Sequence, residues 1–255
     1  MNRKMIFAGI VAAAWLLAGC ESDRAKTPGV MPEGARGALH PEKPLTQAEI
    51  IARAAAQPVS TLPGEGWQPL FSSNTLSGWK LSGFAGAGEV ECTQGLVVFG
   101  MGEMLTGISC TNPVPTMDYE IALEAMRVTG TDFFCGLTFP VRDTHCSLIV
   151  GGWGGSLVGI SSLDDQDASE NETTQFIGFE NGRWYRIRLR VSETKIEAWI
   201  EQKKIVDVVT TGRKLSLRGG EISRSKPLGL ATWVTSAAFR DMKIRRVNGL
   251  AETSP

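Results

Sequence analysis

The sequence predicts an all-β domain, a sandwich of two antiparallel sheets, which follows a flexible N-terminal segment and one short helix. From Trp67 onward, short apolar runs alternate with Gly, Asn, Pro and Ser, a pattern typical of strands joined by turns. No long amphipathic helix interrupts these runs, whereas a parallel α/β sheet would need crossover helices. With 255 residues, 42% of them hydrophobic, the chain is long enough for one such domain plus attachments.

The charge balance excludes one class of partner. The chain has 26 Lys and Arg against 27 Asp and Glu, a formal net charge of −1. A surface that binds a nucleic-acid backbone needs a clear basic excess. We therefore expect no nucleic-acid partner.

Residues 1–19 are predicted to be a signal peptide. Arg3 and Lys4 precede an apolar run over residues 5–17, which is shorter than the roughly 20 residues of a membrane-spanning helix. The run closes on Leu-Ala-Gly-Cys at residues 17–20, which resembles a bacterial lipobox and implies lipidation of Cys20. An ordinary cleaved secretory signal is the alternative.

The lipobox implies an exported cell-envelope lipoprotein that touches the membrane only through its lipid. Glu21 follows Cys20, whereas an Asp there resembles an inner-membrane retention signal. We therefore expect an outer-membrane or periplasm-facing location rather than the inner membrane.

Residues 20–65 are predicted to be a tether followed by a short packing or spacer helix. Pro, Gly, Ala and charged residues without periodicity fill the tether. A capping box at residues 46–49, Thr-Gln-Ala-Glu, opens the helix, which ends at about Ala56 before Pro58. The sandwich then spans residues 66–248, and residues 249–255 form a C-terminal tail.

The clearest strand covers residues 183–191. Its apolar face carries Tyr185, Ile187, Leu189 and Val191, and Trp184 with three arginines alternates on the other face. A second alternating run over residues 195–201 completes a hairpin with it. Further strands are predicted at residues 119–128, 133–139, 145–150, 204–210, 228–233 and 239–247.

Several segments resemble the 3-keto-disaccharide hydrolase domain family. They are Leu-Phe-Ser-Ser-Asn-Thr-Leu-Ser-Gly-Trp at 70–79, Asn-Gly-Arg-Trp-Tyr-Arg-Ile at 181–187, Lys-Ile-Glu-Ala-Trp-Ile at 195–200, Leu-Gly-Leu at 228–230 and Phe-Arg-Asp-Met-Lys-Ile at 239–244. Their order and spacing cover residues 66–247. The resemblance implies a concanavalin A-like jelly-roll sandwich and chemistry on 3-keto-glycosides.

The chain departs from the family pattern at two places. Phe-Cys-Gly-Leu at 134–137 and then Pro140 stand where the family has Asn-Ser-Gly-Ile and then Arg, and Asn74-Thr75 stands where it has Lys-Asp. Two functions therefore stay open, a hydrolase or lyase and a non-catalytic, lectin-like glycan-binding module. A lipid-anchored structural or interaction protein is a third.

The reaction that the family implies has a defined chemistry. A ketone at C3 acidifies the C2 proton, so a base removes that proton while an acid protonates the leaving oxygen. The candidate bases are His145 and Asp165, and the candidate acids are Glu172 and Asp164. Arg127 is the candidate partner of the oxyanion, with a divalent metal as the alternative.

The candidate substrate-binding residues are aromatic or charged. Trp153, flanked by four glycines, is either a stacking platform for a sugar or the packed residue of a tight turn. Trp184, Arg186 and Glu124 lie on the polar faces of predicted strands. They would either clasp a polyhydroxyl ligand or simply pair with opposite charges on neighbouring strands.

Four cysteines follow Cys20, and an exported protein can oxidise them. Cys135 and Cys146 lie on the core faces of adjacent predicted strands, so they form either a disulfide or two buried thiols. Asp165 and Asp167 have the spacing of a calcium loop but lack its Gly and its final Glu. A divalent metal is thus the one cofactor that the sequence suggests.

Overall fold

The structure, a computed structural model, describes residues 44–71 and 75–247. These residues form one α-helix, one 3-10 helix and fifteen strands. In chain order the elements are α1 Gln47–Ala55, β1 Gln68–Pro69, β2 Trp79–Leu81, β3 Val90–Thr93, β4 Leu96–Phe99, β5 Leu105–Cys110, β6 Tyr119–Gly130, β7 Cys135–Val141, β8 Thr144–Gly152, β9 Leu157–Ser161, β10 Gln175–Phe176, β11 Trp184–Val191, β12 Lys195–Ile200, β13 Lys203–Val209, the 3-10 helix Glu221–Ser225, β14 Gly229–Trp233 and β15 Thr235–Arg246.

The strands form two antiparallel sheets. Sheet A has the order β13-β12-β11-β6-β15-β4-β3, and β1 pairs with β15 as well. Sheet B has the order β10-β9-β8-β7-β14-β5-β2. The predicted two-sheet antiparallel sandwich is confirmed.

The main core lies between the inner faces of the two sheets. The alternation predicted for residues 183–191 is confirmed, because Ile187, Leu189 and Val191 on β11 are fully buried in this core. Leu137 and Leu148 reach the same core from sheet B. Burying one such side chain contributes about 1.5–3 kcal/mol, so the alternate apolar positions hold the sheets together.

Strand β7 begins two residues later than expected. Strict alternation from Cys135 puts Phe133 on the core face, but the structure buries Phe134 and turns Phe133 to the outer face of sheet B against Ile149. Phe134 joins an aromatic cluster, with its ring centroid 5.1 Å from that of Phe179 and 6.0 Å from that of Tyr185. Strict alternation fails here because residues 133 and 134 precede the strand.

The predicted helix forms and packs on the outer face of sheet A. Its capping box is complete, since Thr46 Oγ1 accepts a hydrogen bond from the Glu49 amide at 3.3 Å and the Thr46 amide donates to Glu49 Oε2 at 2.7 Å. Ile51 and Ala54 bury against a second apolar cluster that includes Trp184. The helix therefore covers part of this outer face.

The cysteines at 92, 110, 135 and 146 are all free. The candidate Cys135–Cys146 disulfide does not form, because Cys135 pairs with Val150 and Cys146 pairs with Phe139. The two cysteines are therefore four positions apart along the β7/β8 ladder, or about 13 Å at roughly 3.3 Å per residue. The thiols are core side chains, as in the alternative that the sequence left open.

Neither helix in residues 44–71 and 75–247 is long and apolar enough to cross a membrane. The predicted signal peptide, Cys20, most of the tether and the C-terminal tail lie outside the described residues.

Candidate functional site

A row of small polar residues crosses the outer face of sheet B. The strand register aligns Ser109, Gly229, Thr138, Ser147 and Ser161 on five neighbouring strands. The hydroxyl oxygens of Thr138 and Ser147 lie 2.8 Å apart. Because the alternate residues of these strands fill the core, this row faces away from it.

Aromatic rings lie directly on the sheet beside this row. A Cβ on Gly107 would lie 2.8 Å from Cε2 of Phe84, and a Cβ on Gly136 would lie 3.0 Å from Cε2 of Phe133. Both distances are shorter than ordinary carbon contacts. The glycines therefore allow the two phenyl rings to approach the backbone, and Phe133 forms part of an apolar floor.

A cavity of about 710 Å³, called the groove below, opens over this surface. Its apolar lining includes Met104, Leu105, Phe133, Ile149, Ile222 and Trp233. Its polar lining includes Asp132, Ser147, Ser161, Asp167, Arg218 and Glu221, and Trp153 stands at its edge. An apolar pocket with a few convergent polar groups is the usual form of a small-molecule site.

Asp167 and Arg218 form the charged corner of the groove. Arg218 Nη1 lies 2.5 Å from Asp167 Oδ2, and the Asp167 side chain is only 17% exposed. The other carboxylate oxygen accepts hydrogen bonds from the Ser161 hydroxyl and, at 2.8 Å, from the Ala168 amide. The polar row thus ends on a fully hydrogen-bonded carboxylate.

A smaller cavity of about 300 Å³ adjoins this corner, and Asp167 and Arg218 line it too. Asp165, the first residue of the calcium-like spacing, also lines this cavity, but its side chain is 65% exposed and lies 2.7 Å from Lys214 Nζ. Each of these two carboxylates therefore already has a basic partner. Among residues 44–71 and 75–247, no three His, Cys, Asp or Glu side chains cluster to hold a metal ion.

Trp153 projects from the β8–β9 turn with 44% of its surface exposed. Asp132 holds this turn, because its Oδ2 accepts a hydrogen bond from the Gly154 amide at 3.3 Å and its Oδ1 accepts one from the Phe133 amide at 2.7 Å. The guanidinium of Arg218 lies 5.8 Å from the centre of the indole ring. An exposed indole at the edge of the groove suits the stacking role predicted for it.

Arg127, the predicted oxyanion partner, lies on sheet A and does not line the groove. Its side chain donates at 2.7 Å to the Asn181 Oδ1 and Phe179 carbonyl oxygens and at 3.2 Å to the Gly155 carbonyl oxygen. Burial lowers the pKa of this guanidinium. These bonds tie the Trp153 turn to the segment before β11, so the geometry makes Arg127 a structural anchor.

His145 lies on the outer face of sheet B, two residues from Ser147, but outside the residues that line the groove. It is half-buried, and burial, followed by the nearby charge of Lys226, lowers the pKa of the imidazole. His145 is therefore neutral at physiological pH.

The predicted acids, Asp164 and Glu172, lie in the loop between β9 and β10. Both carboxylates bond to the Arg213 guanidinium, and their side chains are 45% and 50% exposed. Hydrogen bonds lower both pKa values, chiefly from the Lys214 amide to Asp164 and from Arg213 to Glu172. A general acid needs a raised pKa to hold its proton, so this environment suits ionised groups.

Trp184, Arg186 and Glu124 lie on the opposite sheet, away from the groove. The Trp184 indole donates to the Ala54 carbonyl at 3.1 Å beneath helix α1, and Arg186 Nη2 lies 3.1 Å from Glu124 Oε1. All three side chains are buried. In the structure these side chains therefore pair with neighbouring groups, which is the second of the two alternatives that the sequence left open.

The groove contains residues that sequence reasoning did not select. Trp233 shares its strand face with Ala231, so alternation could have placed it beside Gly136 and Phe133 on the outer surface. Arg218 lies in an irregular loop, where no periodic pattern could have indicated its neighbours.

Comparisons with known proteins agree with this architecture. The model of the family described as a 3-keto-alpha-glucoside-1,2-lyase-like domain matches residues 66–245. Among solved structures, a Crh5 transglycosylase in complex with NAG aligns at a TM-score of 0.52 and 10% identity, over 72% of this chain and 85% of that one. A Bacillus subtilis protein of unknown function with a galectin-like fold aligns at 0.50 and 11% identity, over 71% and 94%. At these identities the likeness shows the fold alone. The chain has no significant match among curated protein sequences.

Proposed function

Because the chain belongs to the 3-keto-alpha-glucoside-1,2-lyase-like domain family over residues 66–245, we propose that it cleaves 3-keto-glycosides in the groove of sheet B. The observation that carries this proposal is the groove itself, where the exposed indole of Trp153 and the apolar floor meet the carboxylate of Asp167. Sugars present apolar ring faces to aromatic side chains and hydroxyls to polar ones. Both kinds of contact are available here.

Asp167 is the base that this geometry favours. It lines the groove with a carboxylate that is 17% exposed. By comparison, Asp165 and His145 both lie outside the residues that line the groove. A base must reach the proton that it removes, so position takes precedence over the type of titratable group.

The reaction proceeds by elimination. Asp167 takes the C2 proton, an enolate forms between C2 and the C3 oxygen, and the bond from C1 to the glycosidic oxygen then breaks as the C1–C2 double bond forms. Asp132 and Glu221, the other carboxyl groups lining the groove, already accept amide hydrogen bonds, so water that enters the groove protonates the leaving oxygen. Addition of water to the unsaturated sugar completes a hydrolysis.

The proposal is tested with the purified full chain. We expect release of free sugar from 3-keto-disaccharides and none from the unoxidised parents, with and without a chelator and added divalent metal. Asp167→Asn should abolish release, whereas Asp165→Asn and His145→Gln should retain most of it. Full activity of Asp167→Asn would refute the assignment of the base.

A lectin-like module without catalysis is the second candidate. On β7, where the chain departs from the family pattern, Cys135 and Leu137 point into the core, and the outer face presents only Gly136, Thr138 and Pro140. That strand therefore brings no charged group to the groove. Saturable binding of parent disaccharides without turnover of any 3-keto sugar would favour this function.

We also propose that the protein is exported and anchored to the cell envelope through a lipid on Cys20. The Leu-Ala-Gly-Cys segment at residues 17–20 supports this proposal. Labelled palmitate should enter the wild-type protein and not Cys20→Ser, which should leave the membrane fraction. Equal labelling of the two would refute it.

A further inference from the structure

We propose that Arg218 is a catalytic residue that stabilises the negative charge formed on the C3 oxygen when the C2 proton is removed. This inference rests on the proposed function and assigns the oxyanion role within the same groove. Of the described residues that line the groove, Arg218 alone carries a positive charge. The lining also includes Asp132, Asp167 and Glu221, so a developing anion has one cationic partner there.

The position of Arg218 relative to the proposed base matches the substrate chemistry. Removal of the C2 proton places negative charge on an oxygen bonded to the adjacent carbon, C3. A base and an oxyanion partner must therefore lie side by side. Arg218 Nη1 and Asp167 Oδ2 are 2.5 Å apart, and a guanidinium has further N–H donors that can face the substrate.

Backbone contacts of the residues just before Arg218 hold it at this corner. The Ser162 amide donates a hydrogen bond to the Ser216 carbonyl at 2.8 Å, and the Ser216 amide donates one to the Ser162 carbonyl at 3.3 Å. Leu163 and Leu215 form an antiparallel β-bridge. These contacts fasten the chain just before Arg218 to the end of β9. Asp167 follows that same end of β9, so both side chains are placed from one point of sheet B.

The segment that follows Arg218 is fastened as well. The Ala85 amide donates to Glu221 Oε2 at 2.9 Å, and Arg224 Nη1 donates to the Gly83 carbonyl at 2.8 Å. Between these anchors lie Gly219 and Gly220. No atom lies within 4 Å of a Cβ added at either glycine. The Arg218 side chain is itself 61% exposed, and this exposure lets it turn toward a bound sugar.

The charges balance in the step assigned to this pair. The C2–H bond breaks and its proton moves to the Asp167 carboxylate, which becomes neutral. The electron pair of that bond forms the C2–C3 double bond, and the carbonyl π pair moves onto the C3 oxygen. As Asp167 loses its charge, the Arg218 guanidinium is released from that ion pair and faces the new oxyanion, where its positive charge stabilises the transition state.

Exchange of the C2 proton isolates this step from bond cleavage. A 3-keto-1,5-anhydro sugar alcohol has no glycosidic oxygen at C1, so the full chain in D2O can exchange its C2 proton without releasing an aglycone. Proton NMR follows the loss of the C2 signal. We expect Arg218→Gln to slow exchange by about 100-fold, the effect typical of removing one oxyanion donor, and Arg218→Lys to recover part of the rate.

Arg213→Gln is the matched control, because Arg213 also pairs with acidic side chains of the β9–β10 loop but does not line the groove. It should exchange at the wild-type rate. In turnover of 3-keto-disaccharides, Arg218→Gln should lower kcat with little change in KM, as expected for an interaction made in the transition state. Unchanged thermal unfolding of Arg218→Gln would show that the loss is not a folding defect.

The outcomes separate the two proposals. If the wild-type protein neither exchanges the C2 proton nor turns over any 3-keto sugar, the proposed function fails and the role of Arg218 fails with it. If the wild-type protein is active and Arg218→Gln exchanges at the same rate, only the role of Arg218 is overturned. A rise in KM at constant kcat and constant exchange rate would make Arg218 a residue of ground-state binding and would also overturn it.

Discussion

Arg240 Nε lies 2.6 Å from Glu124 Oε2 on the outer face of sheet A, and the two side chains are 5% and 4% exposed. The same guanidinium donates to the carbonyl oxygens of Gln57 at 2.7 Å and Pro58 at 3.0 Å. Glu124 also accepts a hydrogen bond from the Ser60 amide at 3.1 Å. This ion pair therefore fastens the segment that follows helix α1 to the sheet.

Loss of the Glu124 charge should destabilise the fold. Glu124→Gln leaves Arg240 buried without its carboxylate and leaves Arg186 with the carboxylate of Asp241, 3.7 Å away. Removing one partner of a buried pair costs about 3–5 kcal/mol. We expect a loss of that size in the free energy of unfolding, measured by urea denaturation followed by tryptophan fluorescence.

The control for this variant is Glu180→Gln, because Glu180 pairs with Arg183 at a surface where the side chains are 76% and 54% exposed. Exposed pairs are screened by water, so little change is expected. Equal stability of the Glu124 and Glu180 variants would contradict the buried role of Glu124.

The stability of the fold should fall in acid. Burial raises the pKa values of Glu120 and Glu124, but hydrogen bonds and charges from their partners, Arg190 and Ser60 foremost, outweigh burial and lower both values. A pKa lowered in the folded state contributes stability that is fully present above the unfolded value, about 4.3 for Glu. It is lost as the pH falls through the folded pKa.

We therefore expect the free energy of unfolding to begin falling below about pH 6.5, where the lowered pKa of His145 starts to contribute, and to fall further below about pH 4.3 as Glu120 and Glu124 become protonated. Urea denaturation at a series of pH values measures it. Glu124→Gln should show a shallower decrease because one of the linked groups is gone. If the free energy of unfolding of Glu124→Gln falls in acid as steeply as that of the wild-type protein, Glu124 makes no contribution to the acid dependence.

The core thiols should resist alkylation. Burial raises the pKa of Cys146 to about 12 and raises that of Cys135 still further. Only the thiolate reacts, so iodoacetamide at mildly alkaline pH should modify the half-buried Cys92 first and leave Cys135 and Cys146 intact until denaturant is added. Peptide mass spectrometry assigns the sites, and a Cys135–Cys146 disulfide peptide would contradict the structure.

Trp153→Ala should weaken sugar binding without unfolding the domain. Its indole is 44% exposed at the edge of the groove, and an aromatic contact of this kind contributes about 0.5–1.5 kcal/mol, or roughly 2- to 12-fold in Kd. Titration calorimetry with 3-keto-disaccharides on an Asp167→Asn background measures the change.

Trp67→Ala provides the comparison, because Trp67 is also partly exposed and also lies near an arginine, with the Arg245 guanidinium 4.5 Å from its ring centre, but outside the groove. Trp67→Ala on the Asp167→Asn background should bind the sugar with the same Kd as Asp167→Asn alone. Equal weakening by the two substitutions would place the sugar elsewhere.

Much of the fold follows from local pattern. The period-two alternation of residues 183–191 identified a strand and its core face, and the capping box at Thr46 identified the start of helix α1. The alternation and the capping box each depend on residues close together in sequence. The backbone geometry of a strand or a helix start is the same wherever that element packs in the fold. The family resemblance, carried by ordered motifs, was confirmed over most of the domain.

The site depended on contacts that local pattern does not contain. Alternation separates inner from outer residues, but it does not say to which sheet an outer residue belongs or what covers it. Arg127, Arg186 and Glu124 therefore looked like candidates for a site, although they lie on sheet A, where internal bonds and the N-terminal segment occupy them.

The sequence by itself determined eight of the fifteen strands found in the described residues, the short capped helix and the family. The tertiary structure decided that Asp167 and Arg218, 51 positions apart in the chain (218 − 167), meet at one corner of a groove on sheet B. The physical reason is that strand formation is governed by neighbours along the chain, whereas a site is assembled by the register of distant strands and the loops anchored to them.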